Sequence, residues 1–592
     1  MKKITLLLAA MVITPLAMAQ MSGTYKVGTT ETAPNFTSLS AAVTALNANT
    51  FGANVVLEIT SDLTEATNVG LGVNTNGFKI TIRPDIVANA DTDPVRTITF
   101  TQLGDNTSPT GHLVIGYPTA GLTVAWSDAN TIATNNVTID GYAVGGTTKR
   151  LTFTNANTTH GSRVIAVIGA CQNTTIKDCI VVNTTTNASS PTAIVGVIRK
   201  GTAIEVIPGN LTIENNTITC TASAVGMGFR MTTNGTASGT VTSSGFVCKN
   251  NIISAQRRDI ELNYVNGGQI YGNTFSLVQP TSTALGYGVW TSTGCAGIFN
   301  IYNNKFIASS CSGADAAAGG QRVLSLGGSV TSNVYNNMFT GMDRSGTTTY
   351  AVNQTYCFFG CLGKIYNNTF YMPALSNKTI TGYYTAIQLS YANPDIKNNI
   401  FISNEDGMVN AFLSAVTTGA SDYNIFYNKA GVTKSLIVSA TTNNTLASYQ
   451  AANPTQDINS KSVNVNFIDA AAGDLRLTGT SLQDGNLAVP VLATVPTDMF
   501  GTIRATTTYA GAHEALLPFI FTSLENNVEQ TARIAHTSSG IQVELEGEAT
   551  IELYTVNGMM IDKTKVNGSY SRDLNNGVYI IRINGKATKF IK

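Results

Sequence analysis

The chain has 592 residues, of which 12% are charged and 43% are hydrophobic, and its 35 basic and 35 acidic side chains give a formal net charge of zero. This length exceeds what one hydrophobic core supports, so it predicts either several domains or one elongated solenoid. The zero net charge argues against nucleic acid and against an anionic membrane as the main partner.

Residues 1–19 have the pattern of a secretory signal peptide. Lys2 and Lys3 precede an apolar run at 4–13, and the small residues Ala17 and Ala19 precede a predicted cleavage site before position 20. The run is too short to span a bilayer, and no later stretch is long and apolar enough to be a transmembrane segment. We therefore expect an exported protein.

A helix is predicted at 38–48, between a strand at 23–27 and a buried strand at 55–59. Its apolar positions recur at helical spacing and are Leu39, Ala42, Val43 and Leu46. Such a helix can cover the end of a stack of strands, whose core would otherwise face water. The arrangement resembles the N-terminal entry of pectin-lyase-like right-handed β-helix proteins.

A short phrase recurs along the middle of the chain. Its clearest copies are I-Y-N-N-K-F at 301–306, V-Y-N-N-M-F at 334–339, I-Y-N-N-T-F at 365–370 and I-K-N-N-I-F at 396–401. The first Asn of each pair is followed by the next after 33, 31 and 31 residues. A fixed period of this size indicates a solenoid, in which repeats bury their apolar faces by stacking.

The phrase predicts a short strand that bends at its Asn pair, because apolar and polar positions alternate along it. Asn tolerates left-handed backbone geometry, and its amide can hydrogen-bond to copies one rung above and below. We therefore predict a structural ladder made by the first Asn of each pair, namely Asn303, Asn336, Asn367 and Asn398.

A second apolar strand precedes each phrase, which predicts two parallel sheets and leaves room for a third. The predicted fold class is all-β, a right-handed parallel β-helix over residues 20–515. Hairpin turns in a large sandwich are the alternative, but they do not explain the fixed period with the same aromatic residue behind each pair.

Residues 464–515 differ in texture from the repeats. They contain N-F at 466–467, D-L-R-L at 474–477, D-G at 484–485 and G-A-H-E at 511–514. This pattern resembles the closing segment of many bacterial right-handed β-helix proteins. The match is partial, because that family usually has an acidic and an apolar residue where this chain has Tyr509 and Ala510. We expect the segment to be structural.

A new domain is predicted at 525–592, after a linker at 516–524. Strict alternation at 541–546 and 551–554, with Asn-Gly turns at 557, 576 and 584, is typical of a small antiparallel β-sandwich.

The phrases L-Y-T-V-N-G-M-M-I at 553–561, D-L-N-N-G-V-Y-I-I-R-I at 573–583 and K-A-T-K-F-I-K at the end resemble the C-terminal sorting domain of the type IX secretion system. The matching motif residues are Gly558, Gly577, Tyr579 and Lys589. The resemblance implies that the type IX machinery is a partner, that the chain crosses the outer membrane and that it is secreted or attached to the cell surface. A fibronectin-like adhesion module is the alternative.

The densest charged strand begins at Arg257. If Ile260 and Leu262 point inward, alternation places Arg257, Asp259 and Glu261 on the outer face. Neighbouring rungs extend this into a strip suited to stacking on sugars and pairing with uronate carboxylates, whose further members are Arg230, Tyr287, Trp290 and Arg322. A solvated ladder of mutually neutralising charges is the alternative.

No cofactor is predicted. Asp91 and Asp93 offer two carboxylates to a calcium ion, although a surface loop is the favoured interpretation. His112 and His160 are isolated and are interpreted as structural, and the eight Cys residues are interpreted mainly as small apolar core residues.

Two functional classes stay open. The first is a non-catalytic adhesin or glycan-binding protein of the cell surface, whose partner is a polysaccharide or a host-surface glycan. The second is a lyase or hydrolase that acts on an acidic polysaccharide. The aspartate pairs and Gly-His-Gly of polygalacturonases and the D-F-I-F-G stretch of pectin methylesterases are absent from the sequence, which favours the first class.

Overall fold

The computed structural model describes residues 20–85, 94–101, 111–117, 132–156, 163–186, 191–199, 208–223, 225–234, 242–278, 286–292, 294–308, 321–341, 351–374, 381–388, 394–404, 420–428, 437–438, 442–443, 445–515, 518–519, 532–537 and 539–592. The predicted signal peptide, the Asp91–Asp93 pair and His160 lie outside these ranges. The chain divides into two compact units. The first takes the described residues up to Thr478 with Val489–Glu514, and the second takes Gly479–Ala488 with Ala515–Lys592.

The first unit begins with one helix and a series of strands that follow three directions in turn. These elements are β1 (Gln20–Val27), α1 (Leu39–Ala48), β2 (Thr50–Ile59), β3 (Leu63–Glu65), β4 (Val69–Leu71), β5 (Ile80–Pro84), β6 (Arg96–Phe100), β7 (Leu113–Ile115), β8 (Val137–Asp140), β9 (Leu151–Asn155), β10 (Arg163–Ile168), β11 (Thr175–Lys177), β12 (Ile180–Val182), β13 (Thr192–Arg199), β14 (Thr212–Glu214) and β15 (Thr217–Cys220).

The same order of directions continues through the central rungs. Their strands are β16 (Met227–Asn234), β17 (Ser243–Lys249), β18 (Ile252–Ala255), β19 (Arg258–Leu262), β20 (Val265–Tyr271), β21 (Thr274–Leu277), β22 (Gly286–Thr291), β23 (Ala296–Tyr302), β24 (Lys305–Ala308), β25 (Gln321–Tyr335), β26 (Met338–Thr340), β27 (Ala351–Tyr366), β28 (Thr369–Met372), β29 (Thr381–Gln388), β30 (Asp395–Lys397), β31 (Ile400–Ser403), β32 (Ala420–Asp422) and β33 (Ile425–Asn428).

The remaining elements lie in the C-terminal part of the chain. They are β34 (Ile437–Val438), β35 (Thr442–Asn443), α2 (Leu446–Ala452), β36 (Phe467–Asp469), β37 (Asp474–Leu477), two 3₁₀ turns (Gly479–Ser481 and Gly485–Leu487), β38 (Ala488–Pro490), β39 (Thr507–Tyr509), β40 (Ala532–His536), β41 (Gly540–Thr555), β42 (Met560–Asp573), β43 (Val578–Ile583) and β44 (Lys586–Ile591). No helix in the described ranges has the length and apolar character that a bilayer crossing requires.

The first unit is a right-handed parallel β-helix with three strands in each rung. We call the direction of β10, β13, β16, β19 and β22 the first face, and that of β11, β14, β17, β20 and β23 the second face. The strands β25 and β27 continue through both faces, so the two faces form one 21-stranded sheet. The third face is a 12-stranded sheet that runs from β3 to β33. The sequence predicted the fold class and left the third face open.

The core consists of columns in which one rung's side chain lies on the next. On the third face, Phe306, Phe339, Phe370 and Phe401 are buried and stack with ring centroids 4.6 to 5.0 Å apart. This spacing equals the distance between hydrogen-bonded strands, so each ring lies over its copy. The aromatic residue that follows each Asn pair in the sequence is therefore the core residue of its rung.

Each Asn pair divides two tasks between its members. The first Asn bends the chain with a left-handed backbone, with φ between 51° and 59° at Asn303, Asn336, Asn367 and Asn398. The second Asn turns its amide inward and forms the ladder. Asn304 Nδ2, for example, donates to Asn337 Oδ1 at 3.0 Å, and Asn337 Nδ2 donates to Asn368 Oδ1 at 3.0 Å.

The amide ladder therefore lies one residue later than the sequence analysis placed it. Its members are Asn216, Asn251, Asn273, Asn304, Asn337, Asn368, Asn399 and Asn424. It ends where Asn424 Nδ2 donates to the carboxylate of Asp457 at 3.0 Å. The physical reason is that a residue in the left-handed conformation rotates the chain, so that its successor, and not the residue itself, faces the core.

Helices contribute apolar residues to the core near each end of the described rungs. Leu39, Ala42, Val43 and Leu46 of α1 are buried in it, as predicted. The N-terminus of α1 is held by Glu65, which accepts from the backbone N–H of Leu39 at 2.6 Å. The helix α2, which the sequence analysis missed, buries Leu446 and Tyr449 in the same core.

The parts of the closing segment that belong to the first unit, residues 464–478 and 489–514, fold back along the β-helix. Asn336 Nδ2 donates to the carbonyl of Thr497, and Asn398 Nδ2 donates to the carbonyl of Pro490, both at 2.8 Å. On the outside of the third face, Met338 packs with Leu475 and Ala512. The segment is therefore a strap over the bends at the first Asn of two pairs.

The second unit contains an antiparallel sheet with the strand order β40-β41-β43-β44, in which β42 also pairs with β41. Its core includes Val543, Leu553, Ile581 and Phe590. The register of β41 against β42 shifts between Glu544 and Glu548, so the long strand bends within the sheet. The alternating pattern of the sequence thus gives an antiparallel β unit.

Candidate functional site

Four neighbouring strands of the first face bring together the predicted strip, with the exception of Asp259. Strand pairing places Glu261 of β19 beside Arg230 of β16 on one side and Trp290 of β22 on the other. A second column joins Arg258 to Tyr287 and, through β25, to Arg322. We call the group of Arg230, Arg257, Arg258, Glu261, Tyr287, Trp290 and Arg322 the arginine cluster.

Arg258 is the centre of the arginine cluster, although the sequence analysis did not select it. Its guanidinium carbon lies 4.2 Å from the centre of the Trp290 ring and 5.5 Å from that of Tyr287. The two rings stack on each other with centroids 4.9 Å apart. A guanidinium at this distance is attracted by the ring quadrupole, most strongly by Trp. Arg258 therefore holds both aromatic rings in place.

Glu261 is engaged by two arginines. Its Oε2 accepts from Nη1 of Arg258 and lies 3.3 Å from Nε of Arg230. Its Oε1 accepts from the side-chain amide of Asn263 at 3.1 Å. With both oxygens bonded inside the protein and only 3% of the residue exposed, Glu261 is a buried counter-charge that is not free for acid or base chemistry.

Asp259 does not belong to the outer strip, which corrects the sequence analysis. It is fully buried, and its Oδ1 accepts from the backbone N–H of Ala255 at 2.8 Å. Strand pairing places Gly288 of β22 beside Asp259. A Cβ at Gly288 would lie 3.3 Å from the core ring of Phe306, so this position also faces the core. The chain thus turns the corner into β19 with Asp259 inward, and strict alternation fails at its first residues. Burial raises the pKa of Asp259 well above its usual value.

The arginine cluster carries an excess of positive charge among the described residues. The guanidinium groups of Arg230, Arg257 and Arg258 share the single carboxylate of Glu261, because Asp259 points into the core. Burial, and after it the neighbouring charge of Arg258, lower the pKa of Arg257. The Nε of Arg257 is buried and makes no hydrogen bond within the described ranges. This arrangement fits a ligand that brings negative charge and hydrogen-bond acceptors.

The aromatic members set what else the ligand can contact. Tyr287 is buried, and burial raises its pKa, so it stays a neutral phenol. Trp290 is only partly covered, and one arginine already lies over its ring. A sugar would therefore meet a mixed aromatic and guanidinium surface.

The histidines and cysteines of the described ranges lie outside the arginine cluster. No group of three or more His, Cys, Asp or Glu side chains within the described ranges is arranged to hold a metal ion. His112 is buried, stacks on Phe100 at 5.3 Å and has its Nδ1 3.0 Å from the side-chain oxygen of Asn68. Among the cysteines whose side chains the structure describes, Cys171, Cys179, Cys220, Cys248 and Cys295 are buried and form no disulfide.

The four residues predicted to form a sorting motif all lie in the second unit. Gly558 has φ of 81° in a turn that links β41 to β42, a conformation that favours glycine. The N–H of Gly577 donates to the carbonyl of Lys592 at 3.0 Å, and Tyr579 donates its hydroxyl proton to the carbonyl of Asn575 at 2.8 Å. Lys589 lies opposite Ile580 in the pairing of β43 with β44.

No protein-family model matches this chain. No curated protein matches it either. Among solved structures, it is similar to a pectin methylesterase from Aspergillus niger, with 10% identity, a TM-score of 0.23 and coverage of 74% of this chain and 98% of the other. It is also similar to the enzymatically active domain of tailspike protein 2 of bacteriophage CBA120, with 9% identity, a TM-score of 0.30 and coverage of 93% of this chain and 72% of the other. A third similar structure is that of the surface adhesin PfbA of Streptococcus pneumoniae, with 14% identity, a TM-score of 0.27 and coverage of 68% of this chain and 87% of the other.

Proposed function

We propose that this protein is a secreted or cell-surface glycan-binding protein that holds an acidic polysaccharide on the first face of its β-helix without cleaving it. The observation that carries the proposal is the charge excess of the arginine cluster, in which the Nε of Arg257 makes no hydrogen bond within the described ranges. A host-surface glycan with carboxylate or sulfate groups has the same chemistry. Guanidinium groups bind both by paired, charge-assisted hydrogen bonds.

The test is binding of the full chain to soluble polygalacturonate, to heparin and to neutral dextran by affinity electrophoresis. We expect binding to the two acidic polymers, weakened about tenfold by Arg257→Met, since one charge-assisted contact contributes on the order of 1.5–3 kcal/mol. Arg572→Met removes the same charge from the second unit, where the side chain is 48% exposed, and should have no effect. Equal weakening by both variants, or no binding to either acidic polymer, would contradict the proposal.

We expect this binding to need no cofactor. The arginine cluster supplies cations itself, so a bridging calcium ion is unnecessary between the protein and an anionic sugar. Binding should therefore be unchanged in EDTA. A loss of affinity in EDTA that calcium restores would show that a metal takes part.

A polysaccharide lyase is the second candidate function, and the lowered pKa of Arg257 favours it. A lyase base removes the proton from the carbon beside the uronate carboxylate. The bond from the neighbouring carbon to the glycosidic oxygen then breaks, a carbon–carbon double bond forms and the leaving oxygen takes a proton from water. An increase in ultraviolet absorbance with polygalacturonate, abolished by Arg257→Ala, would establish the lyase and refute the non-catalytic proposal. A hydrolase needs two free carboxyl groups, and Glu261 is engaged.

We further propose that the second unit is a type IX sorting domain and that residues 1–19 are a signal peptide. The support is the match of Gly558, Gly577, Tyr579 and Lys589 to the motif of that domain. Deletion of residues 525–592 should leave the β-helix folded and retained in the periplasm. Surface display of the truncated chain would contradict this assignment.

A further inference from the structure

A column of outward side chains runs along the second face through ten rungs and changes character in the middle. Strand pairing gives its order as Asp140, Lys177, Glu214, Lys249, Tyr271, Tyr302, Tyr335, Tyr366, Lys397 and Asp422. Ion pairs occupy its first part, such as Lys177 with Asp140 and Lys249 with Glu214, both at 2.8 Å. The centre has no charged side chain in this column.

The central tyrosines stack on each other. The ring centroids of Tyr271 and Tyr302 are 4.7 Å apart with planes 4° from parallel, and those of Tyr302 and Tyr335 are 4.8 Å apart with planes 2° from parallel. Since each inner ring face is covered by the next ring, a ligand meets the ring edges and the hydroxyl groups. Stacking also fixes the side chains, so binding costs little of their conformational entropy.

The hydroxyl groups of Tyr302 and Tyr335 stay neutral. Burial, and after it the neighbouring tyrosine, raise the pKa of Tyr302, and raise that of Tyr335 to about 12. These two phenols are therefore both donors and acceptors at physiological pH. Tyr366 differs, because it is buried and donates to Asp395.

A second polar column lies beside the tyrosines on the same face. It consists of Gln269, Asn300 and Asn333, which pair in register on β20, β23 and β25. Asn333 Nδ2 donates to Asn300 Oδ1 at 2.9 Å, so these amides are also fixed in a row. Gln269 is exposed, and the other two are partly exposed. Amides and phenols thus repeat together, one of each per rung.

We propose that this face, defined by Tyr271, Tyr302, Tyr335, Gln269, Asn300 and Asn333, is a second binding surface that takes a linear uncharged polysaccharide lying along the axis of the β-helix. The ligand must carry many hydroxyl groups, because the surface offers a row of neutral donors and acceptors. It must be extended and regular, because the row is straight and repeats at each rung. Negative charge on the ligand gains nothing, because these two columns carry no charged side chain in these three rungs. A chain of sugar rings meets all three requirements.

The surface is distinct from the arginine cluster in place and in chemistry. The cluster lies on the first face and binds through guanidinium groups, whereas the tyrosines lie on the second face and bind through neutral hydroxyl groups. The two binding activities are therefore separable by substitution, and this inference does not depend on the proposed function.

The test uses the full chain with Tyr271→Phe, Tyr302→Phe and Tyr335→Phe combined. These changes keep the stacked rings and remove only the hydroxyl groups. We expect the wild-type chain to be retarded in gels that contain soluble β-glucan, xylan or mannan, and the triple variant to bind at least about tenfold more weakly. Arg257→Met should leave this retardation unchanged, and the triple variant should keep the wild-type affinity for polygalacturonate.

Three outcomes would overturn the inference. They are absence of retardation by all three neutral polymers, equal retardation of the wild type and the triple variant, and a self-association of the wild-type chain, measured by light scattering, that the triple variant abolishes. The last result would assign the face to a second copy of the protein. Circular dichroism shows whether the triple variant is folded. If it is unfolded, Tyr302→Phe alone replaces it, and a smaller loss of neutral-polymer binding is expected. An unchanged affinity of that single variant would again overturn the inference.

Discussion

Arg504 donates from Nη2 to the side-chain oxygen of Asn336 at 2.9 Å, although 168 positions separate the two residues in the chain. The same guanidinium donates to the carbonyls of Tyr509 and Gly511 at 3.0 and 2.8 Å. It also donates to the carbonyl of Thr497 at 3.3 Å and to the hydroxyl of Thr508 at 3.2 Å, and the buried carboxylate of Glu514 lies 3.8 Å away. One buried side chain thus joins the strap to a bend of the β-helix.

Replacing Arg504 by Met should lower the free energy of unfolding by about 3–5 kcal/mol, because it leaves a buried carboxylate without its cation and several carbonyls without their donor. The measurement is the urea midpoint of the full chain. Arg476→Met is the matched control, since its ion pair with Asp474 is on the surface and contributes at most about 1 kcal/mol. Equal effects of the two changes would show that the strap is not held by Arg504.

The two members of one Asn pair should respond differently to substitution. Asn304→Ala breaks the amide ladder, because it removes the acceptor of the backbone N–H of Asn273 and the side-chain donor to the carbonyl of Ile270, at a cost of at least about 2 kcal/mol. Asn303→Gly keeps the left-handed bend and should cost less than about 1 kcal/mol. Urea unfolding of both variants tests this, and a larger loss for Asn303→Gly would reverse the assignment of the ladder.

Burial lowers the pKa of His112 from 6.5 to about 4, which makes stability depend on pH. Between these values the unfolded chain binds a proton that the folded chain does not, so stability is lost as the pH falls from 6.5 towards 4. The contribution is about 3 kcal/mol. The difference in unfolding free energy between the wild type and His112→Gln should change by this amount between pH 7 and pH 4. A constant difference would show that the imidazole is not held neutral.

Asp259 should show the opposite dependence. Its pKa is raised by burial, so the folded chain keeps a proton that the unfolded chain releases near pH 4, and stability is lost as the pH rises above that value. Asp259→Asn removes the titration and should gain stability relative to the wild type between pH 4 and pH 8. Asp474→Asn is the control of opposite sign, because the hydrogen bond from Arg476 lowers the pKa of Asp474. A gain that does not vary with pH would contradict the buried, protonated state.

The sequence predicted the β-helix because the Asn phrase carries its own local geometry. It did not show which Asn faces inward, since two adjacent residues of the same type give no difference in polarity. The structure assigns the inward position to the second one, as at Asn304. The helix α2 was missed because seven residues are too few for a clear apolar period.

The candidate site was predicted in part. Alternation predicted Glu261 beside residues of the neighbouring rungs, and strand pairing joins it to Trp290, but alternation failed at the corner before β19. There Asp259 turns inward, and Arg258 takes the position against the aromatic rings. The contact of Arg504 with Asn336 was beyond any local pattern, because it joins distant parts of the chain.

The strap also limits how the length of this solenoid can change. It is tied to Asn336 at one point and to Asn398 at another, with the rung of Asn367 between them. Duplication or loss of a whole rung between these two ties would separate or crowd their partners Thr497 and Pro490. Rungs before Asn303 have no such contact with residues 490–512 among the hydrogen bonds described above. Variation in rung number among related chains is therefore expected on the N-terminal side of the strap.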